Sequence, residues 1–328
     1  MKKVLSLLMI FALVLTAFVG CGEKVGLEAQ EEMTSQEVFD KVQEVSADMT
    51  NTSFFADFDL EMTGLEEMGL AGPMGLTLSG DIKDAENMMI NMEVEAQGMT
   101  IAGDIYMAEK KMLIHVPMLQ GIMGYAYVSA DMDTIAEQAG TPVTQPDPEK
   151  INAIMKRFEE TTEYSIYDMY QLNEEKSVEE IVVNEETIEA TKLTANIDLL
   201  GSKDMIIALV QFMMTDEEAK EVFFAGMTDE DMAMVQAQLE DEAAMAELDA
   251  ALEMITVNEF STVMYINADY QTIKTELVMD FLVTDPEAGM DMNVKLTGFM
   301  DYFNIGGVES ITIPEVDPSQ VMDLNDMM

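Results

Sequence analysis

Hydrophobic and polar residues along the chain follow first a helical period and then a strand period. Thr34 and Glu37 have the spacing of a capping box, and apolar residues recur every three or four positions after them, which predicts a helix over residues 35–49. From Phe54 to Met62 every second residue is apolar, which predicts a strand with one buried face. The folded part of the chain therefore begins with a helix that leads into a sheet.

More alternating segments follow on both sides of a proline-rich break at residues 140–148. Before the break, strands are predicted over residues 76–82, 88–96, 99–107, 112–116 and 123–129. After it, a helix is predicted from residue 151, and strands over 162–171, 178–183, 187–197, 257–267, 271–283, 290–303 and 309–313. The short connections are typical of an antiparallel meander, and the acidic segment 198–255 has a helical pattern divided at Gly226.

These elements predict an α+β fold in which a large, curved antiparallel sheet, or half-barrel, packs on helices. About eleven strands in one sheet would make it curl strongly or approach a barrel. We expect the helix at 35–49 and the segment 198–255 to cover the concave face. Residues 34–328 are interpreted as one domain with two possible halves, 34–139 and 150–328.

The first twenty residues have the parts of an export signal. Lys2 and Lys3 precede an apolar segment from Val4 to Phe18, which is shorter than the about 20 apolar residues of a spanning helix. Cys21, the single cysteine of the chain, follows at the expected cleavage distance, and this order resembles the lipobox of bacterial lipoproteins. The resemblance implies that residues 1–20 are removed and that Cys21 is acylated by fatty acids such as palmitate. The alternative is an ordinary secreted protein.

Charge limits the partners that such a protein could have. The chain has 64 acidic and 16 basic residues, a formal net charge of −48, and a hydrophobic content of 48%. The acidic excess excludes a simple nucleic-acid partner, and the hydrophobic content excludes a disordered acidic polymer. We therefore expect a protein anchored by lipid on the extracytoplasmic face of the cell membrane, with residues 21–33 as a polar tether.

Several features together resemble the LolA-like and LppX-like lipoproteins. They are the lipobox, the helix and strand at 34–62, the hairpin from Gly98 to Val116 and the terminal segment 311–314. This resemblance implies a half-barrel sheet around helices, with an apolar cavity that binds or carries a hydrophobic, lipid-like molecule. A long acidic helical segment such as 216–255 departs from the usual pattern of that family. The alternative function is a structural or interaction module of the cell envelope, with a filled core and an envelope protein as partner.

The strand faces that could line such a cavity carry the candidate ligand residues. They are Phe54, Phe58, Met88, Met92, Ile101 and Ile105. The chain also has 34 methionines, whose flexible side chains suit ligands of varied shape, although methionine as ordinary core filler explains the same number. Copper(I) binding by the pairs Met232/Met234 and Met290/Met292 is a third explanation, but neither pair has a histidine or cysteine beside it as a further ligand.

The sequence predicts no catalytic site, cofactor or metal. His115 is either a lone general base or a solvent-facing strand residue, and no serine or cysteine has nucleophile-type flanks. One histidine and one cysteine exclude most zinc sites, and the carboxylates at 131–133 and 229–231 lack the glycine and glutamate of an EF-hand loop. We therefore expect a protein that is not an enzyme; a hydrolase would need a convergent polar cluster in the cavity.

Overall fold

The fold is taken from a computed structural model, which describes residues 26–46, 51–64, 72–84, 86–132, 148–224, 229–285 and 290–323. Within these ranges, 13 strands form one open sheet that is antiparallel except for a single parallel pair at one edge. Helices pack on one face of this sheet. The predicted α+β class with a large, curved antiparallel sheet is confirmed.

The elements have the following bounds. The strands are β1 (Thr52–Thr63), β2 (Gly72–Asp84), β3 (Asn87–Ala96), β4 (Met99–Ala108), β5 (Lys111–His115), β6 (Tyr127–Asp131), β7 (Tyr170–Leu172), β8 (Ser177–Val183), β9 (Glu186–Ile197), β10 (Ile255–Ile266), β11 (Thr272–Asp285), β12 (Met290–Phe303) and β13 (Val321–Asp323). The α-helices are α1 (Leu27–Glu32), α2 (Ser35–Ser46), α3 (Pro117–Met123), α4 (Pro148–Thr161), α5 (Lys203–Thr215), α6 (Glu217–Phe223), α7 (Asp229–Glu240) and α8 (Glu242–Glu253). None of the described helices is long and apolar enough to cross a membrane.

The capping box predicted at the start of α2 is present. The Thr34 backbone N–H donates to Glu37 Oε2 at 2.7 Å, and the Glu37 N–H donates to Thr34 Oγ1 at 3.1 Å. These two bonds satisfy donors that have no partner within the helix, which fixes where the helix begins. Its predicted end, over residues 47–49, lies outside the described residues.

Two strand pairs join the predicted halves of the chain, β1 with β12 and, at one edge of the sheet, β6 with β13. The sheet order is β13-β6-β5-β4-β3-β2-β1-β12-β11-β10-β9-β7, with β8 paired to β9. β1 and β12 are antiparallel and are paired from Ser53 with Phe303 to Thr63 with Asn293. The meander before the proline-rich break and the strands after it therefore form one continuous surface.

The covering helices come from three parts of the chain. α2 buries Val38, Phe39 and Val42 against a cluster that includes Leu193 and Met264. α4 and α5 pack on the strands β9 to β11 through a second cluster, whose buried members are Phe158, Met169, Ile197, Met205, Phe260 and Phe281. Of the segment 198–255, α5 thus contributes to the core, whereas α8 has no buried residue. The predicted cover therefore forms only in part from that segment.

The predicted tether differs from the structure at its C-terminal end. Residues 27–32 form the short helix α1, in which Gln30 is completely buried. The Gln30 side chain donates from Nε2 to the backbone oxygen of Asn267 at 2.7 Å. Because this bond holds the helix on the turn between β10 and β11, residues 27–32 belong to the folded domain and not to the tether.

Three further segments differ from their predicted conformation. Residues 166–169, predicted within a strand, form a 3₁₀ turn because Ser165 and Asp168 make a capping box there, and the strand begins only at Tyr170. Residues 309–313 form no strand, although their side chains alternate. The helix α3 was not predicted, even though Pro117 at its first turn and Gly124 in the left-handed conformation after its end are typical helix boundaries.

The acidic segment is divided into more helices than its pattern predicts. Asp216 and Asp241 each accept a hydrogen bond from the backbone of a following turn, at 2.9 Å from Ala219 N and Ala243 N. These N-caps start α6 and α8 and so end the helix before each of them. The predicted division at Gly226 lies outside the described residues.

Candidate ligand-binding cavity

A cavity of about 430 Å³ lies between α2 and the covered face of the sheet. α2 contributes Phe39, Val42 and Gln43 to its wall. The sheet contributes side chains mainly from β1 and β12 and from their neighbours β2 and β11, among them Phe58, Leu60, Leu76, Leu277, Leu296 and Met300. Sites for small molecules in proteins have volumes of roughly 300–1,000 Å³, so the space is large enough for a ligand.

Strand register explains why these apolar side chains face one space. Phe58 lies opposite Leu76 on β2 and Gly298 on β12, and Gly298 lies opposite Leu277 on β11. Directly paired residues of an antiparallel sheet point to the same face, so one apolar row crosses four strands. Gly298 has no side chain, and the Phe58 ring and the Asp57 backbone oxygen occupy the space where its Cβ atom would lie. Gly298 therefore allows the Phe58 ring to lie close to β12.

The cavity wall carries no formal charge among the residues that the structure describes. Its polar members are Gln43, three threonines and two tyrosines. Burial raises the pKa of Tyr170 and of Tyr302, so both phenols stay protonated and neutral at physiological pH. Thr262 uses its hydroxyl hydrogen within the protein, donating to the Glu276 backbone oxygen at 3.1 Å. Such a wall favours an apolar ligand and does not stabilise a buried ion.

The six residues predicted to line a cavity are placed as follows. Phe58 lines the cavity. The pairing of β1 to β4 places Phe54 in one row with Ile90 and Ile105. A second row joins Phe58 to Ile101 through Leu76 and Val94. Met88 lies opposite Ile82 on β2, and Met92 lies opposite Leu78. The register therefore places all six on one face of the sheet.

Five of those six residues nevertheless do not line the cavity. Phe54 is buried against Tyr302, and Met88 is also buried, so both contribute to filled parts of the core. Met92 belongs to the wall of a smaller depression of about 270 Å³ with Thr77 and Asn91. The reason is the position of α2, which packs on the β9–β10 side of the sheet and so places the hollow over β1, β2, β11 and β12.

His115 lies away from the cavity, beside a carboxylate and an aromatic ring. Its Nδ1 atom is 2.8 Å from Asp104 Oδ2, and its ring stacks on Tyr127 with the centroids 4.4 Å apart. Register joins these three residues across β4, β5 and β6, so the histidine is held by neighbours and is about one-quarter exposed. No three His, Cys, Asp or Glu side chains of the described residues are grouped to hold a metal ion.

Most of the cavity wall comes from residues that the sequence did not single out. β10, β11 and β12 were predicted as strands, but nothing in their sequence indicates that β12 pairs with β1. The spacing in the sequence could have indicated Gln43. It follows Phe39 by four residues and therefore lies on the buried side of α2. A polar residue on such a stripe is a candidate for a specific contact.

Comparison with known proteins gives little further identification. No family model matches the chain, and no curated protein matches it. Among solved structures, a domain assigned to outer membrane lipoprotein sorting in Vibrio parahaemolyticus aligns with 10% identity and a TM-score of 0.21, covering 78% of this chain and 87% of that chain. A β-barrel-like protein of the domain of unknown function DUF1849 from Brucella abortus aligns with 7% identity and a TM-score of 0.20, covering 78% and 99%. The resemblance to the lipoproteins therefore stays a prediction.

Proposed function

We propose that this protein is a lipid-anchored extracytoplasmic lipoprotein that binds or carries a hydrophobic, lipid-like molecule and does no chemistry on it. The single observation that carries the proposal is the uncharged cavity of about 430 Å³ under α2. An apolar cavity of about 150 Å³ already stays dry and accepts an apolar guest, because water inside would lose hydrogen bonds. The cavity found here is larger, and its wall is uncharged and mostly apolar.

Two alternatives are less well supported. A structural or interaction module would pack to normal interior density, and the cavity of about 430 Å³ under α2 does not fit that expectation. A hydrolase would need polar groups that converge on the cavity. The polar pair of Asp104 and His115 is not part of the cavity wall, and the carboxylates of the chain do not contribute to that wall within the described residues.

The binding proposal is tested with 1-dodecanol and the purified protein. Binding to the folded state alone raises stability by RT ln(1 + [L]/Kd), about 2.7 kcal/mol when the free alcohol is at a hundred times its Kd. We expect a higher melting temperature with 1-dodecanol, and none of that shift in Val94→Phe, whose larger side chain fills the cavity from β3. Glu95→Phe is the matched control, because the next residue of a strand points to the opposite face.

The outcomes of this experiment are separable. Loss of the shift in Val94→Phe with a normal shift in Glu95→Phe supports binding in the cavity. No shift in the wild-type protein contradicts the proposal, and so does a shift that survives in a folded Val94→Phe protein. In either case the interaction module becomes the better explanation.

The anchor is proposed from Cys21, which lies outside the described residues. We expect Cys21→Ala to release the protein from the membrane fraction or to block its maturation, because acyl chains contribute about 0.8 kcal/mol per buried CH₂ to membrane binding. Membrane fractionation with gel mobility is the measurement. A variant that fractionates and migrates like the wild type would show that Cys21 is not the lipidation site.

A further inference from the structure

We infer that the cavity selects uncharged amphiphiles whose head group donates a hydrogen bond to Gln43, such as an alcohol or a primary amide, over carboxylates and esters. This inference rests on the binding function proposed above. Gln43 is the residue that determines specificity, and the group that Gln43 selects is an uncharged hydrogen-bond donor.

Gln43 is the polar residue of α2 that takes part in the cavity wall. Phe39 and Val42, its neighbours in that wall, are separated from it by four positions and one position along the helix. The Oε1 atom of Gln43 is buried, and within the described part of the chain it has no hydrogen-bond partner. Four other side chains share this property, Gln30, Thr191, Asn293 and Asp301, but none of them lines the cavity.

A buried carboxamide oxygen without a partner is costly, because folding has removed its water without replacing the hydrogen bond. The terminal torsion of a glutamine side chain is broad, so the carboxamide can rotate toward the cavity without movement of the helix. A ligand with an O–H or N–H group at this point would supply the missing bond. An ester has no such hydrogen and would leave the oxygen unpaired.

Charge excludes a carboxylate at the same point. The described wall contains no lysine, arginine or histidine. Two partly buried lysines of the sheet are paired with other carboxylates, Lys192 with Glu179 and Lys274 with Asp301. The formal charge of −48 for the whole chain adds a repulsive field. A buried carboxylate would therefore lose its hydration without meeting a countercharge.

The test compares three ligands with the same twelve-carbon chain, 1-dodecanol, methyl dodecanoate and dodecanoate, by calorimetric titration at pH 8. In the wild-type protein we expect the alcohol to bind about three- to tenfold more tightly than the ester, the usual net value of one hydrogen bond, and dodecanoate to bind most weakly. In Gln43→Leu the alcohol and the ester should bind equally. Gln36→Leu is the matched control, because Gln36 is an exposed glutamine of the same helix; it should keep the preference.

The possible results separate this inference from the binding function. Equal binding of alcohol and ester to the wild-type protein overturns the inference and leaves the binding function intact. Tightest binding of dodecanoate, or an alcohol preference that persists in Gln43→Leu, overturns it as well. Failure of all three ligands to bind contradicts the binding function itself. The wild-type series decides the matter even when Gln43→Leu fails to fold.

Discussion

The covered face of the sheet is filled at one end and hollow at the other. At the filled end, Phe260 and Phe281 meet with ring centroids 5.7 Å apart, and α4 inserts the fully buried Phe158, which lies 5.6 Å from Phe212 of α5. At the hollow end, three residues of α2 take part in the cavity wall, and the ring of the largest of them packs aside.

That largest residue is Phe39, whose ring lies 5.9 Å from Tyr167 and 5.5 Å from Tyr170. The strands at both ends carry large apolar residues on the same face. Alternation along a strand therefore determines which face is buried, whereas the side chains of the covering helix determine whether that face is filled.

The largest effect is expected at the filled end. Phe158→Ala removes a fully buried ring from close contact and should lower the free energy of unfolding by about 3–5 kcal/mol. Urea denaturation followed by circular dichroism measures this change. A loss below about 1 kcal/mol would mean that the packing around α4 relaxes to fill the gap, and the contrast between the two ends would then disappear.

A smaller effect is expected for the same substitution at the hollow end. Phe58 lines the cavity, so part of its ring already lacks packing partners, and Phe58→Ala should cost about 1–2 kcal/mol. The same denaturation experiment gives both values, and the difference between them is the quantity of interest. If Phe58→Ala costs as much as Phe158→Ala, the ring of Phe58 is fully packed in solution. The cavity would then be collapsed in the protein without ligand.

The third prediction concerns the contacts that hold the filled end in place. Asp216 accepts two hydrogen bonds from Arg157 of α4, from Nε and Nη2 at 3.0 Å each, and it also caps α6. The Arg157 guanidinium, together with the Ala219 N–H, lowers the pKa of Asp216. Asp216→Ala should therefore cost about 1 kcal/mol at pH 7, the usual value of an N-cap.

The pH dependence of this effect has a definite sign. Because the pKa of Asp216 is lower in the folded state than in the unfolded state, its contribution is present above the unfolded value of about 3.9 and is lost as the pH falls through the folded value. The stability difference between wild type and Asp216→Ala should shrink over that interval. Asp241→Ala is the control, since Asp241 caps α8, a helix with no buried residue, and its removal should change global stability least. A stability difference between wild type and Asp216→Ala that does not change with pH would contradict an ionic contribution of Asp216.

Local elements of this fold were predictable because their signals lie within a few residues. The capping box of Thr34 and Glu37 marked the start of α2. The turn between β8 and β9 lies between the predicted strands 178–183 and 187–197, and the φ angles of Asn184 and Glu185, 46° and 68°, are those of a tight hairpin. Both depend on contacts between residues that are near in sequence.

The cavity could not be predicted in the same way. Its wall needs β12 beside β1 and α2 above both, and these contacts join residues that lie far apart in the chain. Alternation selected the correct face for Phe58 and Met88, but only the position of α2 decides that the first lines a hollow and the second does not. The unpaired oxygen of Gln43 likewise follows from packing and not from local sequence.

The pairing of β1 with β12 also has a consequence for the order in which the chain folds. Thr52 Oγ1 donates to the Phe303 backbone oxygen at 3.1 Å across 251 residues, and α2 buries its stripe against Leu193 and Met264. Loops this long close slowly, because the entropy of closure is lost before the contacts are made. The strands of the amino-terminal meander pair with one another locally, but β1 gains its second neighbour only when residues near 303 are available. The sheet is therefore completed only after β12, which joins β1 to β11, has been synthesised.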